Sequence, residues 1–184
     1  MGFKKYVKDY EKEYIIKPNG RPGLTAVYKG KYFRFALQKE TLHKARIAFS
    51  VLAILTVLLA IAPLCYKSVG SRTMYVALPH VISFFPIAHL LLGVSSFCFA
   101  KPPMVREQKD KAENRIINSS ISSAIFLAAT AVAELINCII SGFPVPDLMY
   151  SIFLFVASLT SGAIFLVRRV LKTEECDAHG KKIN

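Results

Sequence analysis

The sequence predicts an all-α membrane protein of four transmembrane helices, with a small cytoplasmic N-terminal segment read as a β-hairpin or meander. Three observations lead there. First, 53% of the 184 residues are apolar and 20% charged, with a mean hydropathy of +0.40, against about 45–50% and about 25% in an average soluble domain. Second, no charged residue occurs in Ile47–Tyr66, Thr73–Ala100 or Leu148–Val167, and Ile116–Pro146 contains only Glu134. Third, the cations are unevenly shared among the connections. Each apolar run can cross a hydrocarbon core of ~30 Å, which takes about 20 helical residues, so a soluble domain is excluded. Disorder and a disulfide scaffold are excluded too, since only four residues are Cys.

Residues 1–46 form a basic cytoplasmic segment holding twelve of the 24 Lys and Arg residues and four acids. A signal peptide would place an apolar core within roughly the first 30 residues. Here the first apolar run starts at Ile47, so helix one is expected to be an uncleaved anchor. Glu13–Lys17 precedes the turn formers Pro18–Gly23, and Thr25–Tyr28 and Lys31–Phe35 flank Lys29-Gly30. This spacing predicts short antiparallel strands. Three such strands are marginal alone and need the bilayer or the helix ends for support. A helix is expected to begin near Gln38–Thr41 and run into the first span. The bundle occupies 47–167, with spans at about 47–66, 74–100, 117–141 and 147–167, and 168–184 is a cytoplasmic tail.

Orientation follows from the flanking cations. The N-terminal segment has 12 Lys and Arg, Lys67–Arg72 has two, Lys101–Arg115 has five, Ser141–Asp147 has none and the tail has five. Alternate segments therefore hold 22 against two. The positive-inside rule puts both termini in the cytoplasm of a multi-pass protein. The cell (plasma) membrane is the expected location, with an organelle membrane as the alternative.

Glu134 is the leading candidate site residue, because a charge at mid-span costs about 2.5–3.5 kcal/mol on insertion scales. At 100° per residue it shares one polar stripe of helix three with Ser123, Thr130, Asn137 and Ser141. A small-residue stripe, Ser120, Ala124, Ala128 and Ala131, runs beside it, and helix four offers Ser158 and Gly162. Helices three and four are expected to pack through these faces with Glu134 turned inward. Glu134 is then either a protonatable site or a hydrogen-bonded packing group, and the second is the plainer reading. Its candidate partners are His80 and His89. Depth favours His80, about 10 Å outside the midplane against about 8 Å for Glu134, with His89 about 3 Å inside. The helical wheel favours His89, which shares a side with Pro86, Gly93 and Ser96. Pro79 and Pro86 are read as bends that make the wheel the weaker guide, so Glu134–His80 is the expected pairing.

The remaining chemistry is sparse. Cys65 and Cys138 fall in the same outer region, where a pair of small buried residues is the plainer reading, and no C-x-x-C occurs. Cys176 and His179 are too few for a structural zinc site. With no metal set, phosphate-cradling loop or catalytic motif, no metal, cofactor or enzymatic activity is expected. Lys29, Lys31, Arg34, Lys44 and Arg46, interleaved with aromatic residues, are read as headgroup contacts on an anionic cytoplasmic leaflet, each worth about 1 kcal/mol. Nucleic acid is not an expected partner, because the adjacent span makes the membrane the simpler target; a protein partner or homodimer is. The expected function is a non-enzymatic anchor or accessory protein, with a small ion- or proton-coupled transporter built on Glu134 as the rival.

Overall fold

The structure is a computed structural model that describes residues 6–16, 22–167 and 172–178. Four helices are long and apolar enough to cross a membrane. They are α1 (Lys39–Ile61), α2 (Met74–Phe99), α3 (Arg106–Ile140) and α4 (Val145–Val167). A 3-10 turn, Ala62–Cys65, extends α1, and a second, Gly70–Arg72, lies just before α2. Apolar side chains cover the outside of the bundle, among them Ile54, Phe85, Ile125 and Leu159. Such a surface is stable only against lipid or another apolar phase.

α2 continues through Pro79 and Pro86. Between the two prolines the Ser83 hydroxyl donates to the His80 carbonyl at 2.6 Å, within the same helix. α3 begins eleven residues before the span expected at 117, because Arg106–Arg115 is polar but contains good helix formers. At its other end the chain reverses within a few residues. Gly142 at φ 79° and Phe143 at φ 60° send the Phe143 amide back to the Cys138 carbonyl at 2.9 Å. This left-handed exit caps α3 and turns α4 antiparallel to it.

α3 and α4 meet through the small-residue faces as expected. Ser123 and Ser161 hydroxyls lie 2.5 Å apart, Ser161 donates to the Ser120 carbonyl at 3.0 Å, and Ser158 donates to the Ala124 carbonyl at 2.9 Å. Gly162 is not at the contact: a methyl there meets nothing within 4 Å. Its place at the seam is taken by Ser161.

The short strands differ from a meander. β1 (Tyr10–Ile16) and β2 (Pro22–Tyr28) form an antiparallel hairpin, Tyr10 opposite Tyr28. β3 (Tyr32–Phe35) does not join it. Both edges of β3 are taken by distant segments, β4 (Met104–Val105) and β5 (Thr173–Cys176), in the order β4-β3-β5. The N-terminal segment, the α2–α3 connection and the segment after α4 thus lie at one end of the bundle. Phe35 and Met104 insert from this sheet into a core with Phe49, Leu90, Phe97, Ile116 and Ile164. Phe35 meets Phe97 edge-on, ring centroids 5.1 Å apart. A second core, with Val76, Leu127, Tyr150 and Leu154, fills the other half.

Candidate functional site

The end of the bundle away from the sheet carries a buried polar cluster. Glu134 is fully buried, and its Oε1 accepts a 2.6 Å hydrogen bond from Ser68, in the α1–α2 connection. Ser68 Oγ in turn accepts from the Ser71 amide at 3.1 Å, which shapes the second 3-10 turn. Asn137, one turn after Glu134, accepts from the Tyr75 hydroxyl at 3.1 Å. Asp147, in the first turn of α4, is 1% exposed and accepts from the Val69 amide at 3.0 Å. An acid suits that place, where the helix N-terminus is positive. Asp147 and Glu134 thus hold neighbouring residues of the α1–α2 connection, Val69 and Ser68.

Glu134 and Asn137 close over Gly70. A Cβ at that position would lie 1.7 Å from Glu134 Oε2 and 2.6 Å from Asn137 Nδ2. Only glycine lets the loop backbone approach so closely. Among the described residues Glu134 Oε2, Asn137 Nδ2 and Asp147 Oδ2 are buried without a hydrogen-bond partner. Buried polar atoms of this kind are few in folded proteins, and three in one cluster mark it as a chemically distinct spot.

The expected Glu134–His80 pair does not form. His80 is buried, but Nδ1 lies 2.6 Å from the Tyr150 hydroxyl and Nε2 3.0 Å from the Ala60 carbonyl. The carbonyl only accepts, so Nε2 carries the hydrogen and Nδ1 accepts from Tyr150. Tyr150 on α4 thus satisfies the histidine before Glu134 can. His89 points outward, bonded at 3.1 Å to the Phe85 carbonyl of its own helix. His80 is therefore the inward histidine, as its depth implies, but its side-chain partner is Tyr150 and not Glu134. Thr130 is buried and bonded to the Phe126 carbonyl at 2.8 Å, an intrahelical contact. Asp147, Ser68 and Tyr150 were absent from the sequence expectation. An acid just inside an otherwise apolar helix start was the available signal for Asp147.

At the sheet end the five expected headgroup contacts are engaged within the protein. Lys29 pairs with Glu13 at 2.7 Å, Lys31 with Glu175 at 2.8 Å, Arg34 with Glu174 at 3.7 Å and Lys44 with Glu40 at 2.7 Å. Arg46 is half-buried, donates to the Ala100 carbonyl at the end of α2 at 2.5 Å, and lies over the Phe97 ring at 5.9 Å. The Tyr28 hydroxyl donates to the Lys31 carbonyl at 2.7 Å and accepts from the Arg106 amide at 3.2 Å, tying the hairpin to α3. Burial raises the Tyr28 pKa above its ordinary value, and the Glu13 carboxylate does so for Lys29 through a direct hydrogen bond. A polar groove of about 520 Å³ lies between the hairpin, β3 and α3, with Lys29, Phe33, Arg106, Lys109, Asp110 and Glu175 in its wall. Cys65 is exposed and Cys138 buried, both as free thiols, so the two are not joined. Cys176 is likewise a buried free thiol, and His179 lies outside the described residues. Among the described residues no group of three His, Cys, Asp or Glu is placed to hold a metal ion.

No protein-family model matches this chain, and no curated protein or solved structure matches it either.

Proposed function

We propose that the chain is a non-enzymatic integral membrane protein whose four-helix bundle carries a cationic cytoplasmic module and acts through lipid or protein contacts. The observation that supports this most is the β4-β3-β5 sheet, which joins three chain segments at the cation-rich end and docks on the helices through Phe35 and Met104. Knitting segments so far apart in sequence makes a rigid platform rather than loose tails. All three segments belong to the set that the positive-inside rule assigns to the cytoplasm. The buried cluster at the other end is then a clamp that holds the α1–α2 connection against α3 and α4.

The test compares two variants in cells lacking the native gene product. Phe35→Asp, which undocks the platform, is expected to abolish complementation while the bundle still inserts. Glu134→Gln is expected to complement. The reverse pattern would overturn this reading.

A second reading has its own support in the unpartnered Glu134 Oε2 and Asp147 Oδ2: an ion- or proton-coupled carrier. Proteoliposomes holding a pH gradient separate the two. Leakage equal to protein-free vesicles favours the platform, and faster flux that disappears in Glu134→Gln favours the carrier.

A further inference from the structure

We propose that a groove between the end of α2 and the first turns of α3 is a specific site for one anionic glycerophospholipid. The inference rests on the platform reading and names the lipid contact within it. The groove has a volume of about 450 Å³, with Ser96, Phe99, Lys101, Gln108, Lys111 and Arg115 in its wall.

Two chain boundaries locate the groove relative to a bilayer. The charge-free run of α2 ends at Ala100, immediately before Lys101, and the apolar stretch of α3 starts at Ile116, immediately after Arg115. α2 and α3 are packed neighbours, shown by the close approach of Gly93 to Ile116. Both edges of the hydrocarbon region therefore fall in the same groove. Below the edge stands Phe99, 81% exposed, a surface for an acyl chain. Above it stand the cations, at the level of phosphate groups.

The charge there is free to be used. Lys111 bonds Glu107 at 2.5 Å, whereas Lys101 and Arg115 have no carboxylate partner among the described residues. This contrasts with Lys29, Lys31, Arg34 and Lys44, each already facing an acid. The α2 C-terminus would repel a phosphate, but Arg46 already donates to its Ala100 carbonyl. Gln108 adds a neutral donor. A phosphodiester bearing a net negative charge, with its chains lying along Phe99, matches this arrangement of donors and apolar surface; a zwitterionic lipid would bring its own cation against Lys101 and Arg115.

The chain has no Trp, so Phe99→Trp gives a single fluorescent reporter in the groove. The full-length variant is reconstituted in phosphatidylcholine vesicles containing brominated phosphatidylglycerol or brominated phosphatidylcholine. Expected is quenching at a mole fraction of phosphatidylglycerol on the order of tenfold lower, with the preference lost when Lys101→Gln and Arg115→Gln are added. Lys101→Arg with Arg115→Lys should keep it, as should Lys31→Gln with Lys44→Gln. Equal quenching by the two lipids, or loss of preference only in the Lys31/Lys44 pair, overturns the proposal. So does relief of quenching by millimolar inorganic phosphate, which would mark a site for free phosphate. Vesicles report this preference whichever way the chain is inserted, so failure of the cytoplasmic orientation is detected separately by cysteine labelling.

Discussion

Ser68 and Glu134, 66 residues apart, meet in a 2.6 Å hydrogen bond that fastens the α1–α2 connection to α3. Ser68→Ala leaves Glu134 Oε1 without its donor and the Ser71 amide without its acceptor. The expected cost is about 1–3 kcal/mol for a stranded buried group. Glu134→Gln keeps an oxygen for Ser68 and should cost about 1 kcal/mol or less. Thermal unfolding in detergent, followed by circular dichroism, measures both. If Gln proved the more damaging, the carboxylate charge itself would be doing something a clamp does not need.

Gly70 gives a sharper test of the same cluster. An added methyl would fall 1.7 Å from Glu134 Oε2, so Gly70→Ala must push the carboxylate or the loop aside. Overpacking of this kind costs about 1–3 kcal/mol. In a Glu134→Ala background the nearer obstacle is gone and Asn137 Nδ2, 2.6 Å from the methyl, is left to shift, so the added penalty should fall. Such non-additivity is the signature of direct contact. Additive effects would show that the loop moves independently of Glu134.

The α3–α4 seam predicts opposite outcomes at adjacent positions. Ser161 is fully buried against Ser123, so Ser161→Leu should destabilise the bundle by about 1–3 kcal/mol. Next to it, a Cβ on Gly162 meets nothing within 4 Å. Gly162→Ala should be neutral or stabilising by about 0.5–1 kcal/mol, the usual gain for Ala over Gly inside a helix. Paired melting curves decide whether the contact runs through Ser161.

The spans and the α3–α4 seam were legible in the sequence because each rests on a repeating local property, uninterrupted apolarity or small side chains on one face. β3 shows where that ends. The Lys29-Gly30 turn suggested a partner just upstream, yet Tyr32 pairs with Val105 and Cys176. No local pattern encodes partners so far along the chain. Glu134 was recognised because a lone acid in an apolar run is conspicuous. Its surroundings were not: Ser68 and Asp147 sit at the polar margins of the spans, where such residues are ordinary. His80 and Tyr150 likewise required knowing how α2 and α4 face each other.

The cysteines report orientation. Cys65 is exposed at the clamp end, whereas Cys138 and Cys176 are buried. Burial also pushes the Cys176 thiol above its ordinary value, lowering the thiolate fraction that reacts. In single-cysteine versions, a membrane-impermeant maleimide should label Cys65 from outside intact cells. Cys176 should react only after permeabilisation, and slowly until the sheet is unfolded. Labelling of Cys65 only from the inside would put the sheet end outside and overturn the proposed cytoplasmic platform.

The sheet end should loosen in alkali before the bundle does. Cys176 in β5 is raised from an ordinary 9.0 by burial, Tyr28 in β2 from 10.0 by burial, and Lys29 from 10.5 by its hydrogen bond to Glu13. For all three the folded state holds a proton that the unfolded chain gives up first. Each contribution is complete below the unfolded pKa and is lost as pH rises through the folded one. The window therefore opens near pH 9.0 with Cys176 and extends upward through Tyr28 and Lys29. Amide exchange in Tyr32–Phe35 and Thr173–Cys176, normalised to the intrinsic rate, should show protection falling across that window while the middle of α3 keeps its own. Cys176→Ser removes the earliest titration and should move the onset toward the Tyr28 range. Unchanged protection of β3 through the whole window would mean that these groups ionise without the sheet opening, and that their burial contributes little to its stability.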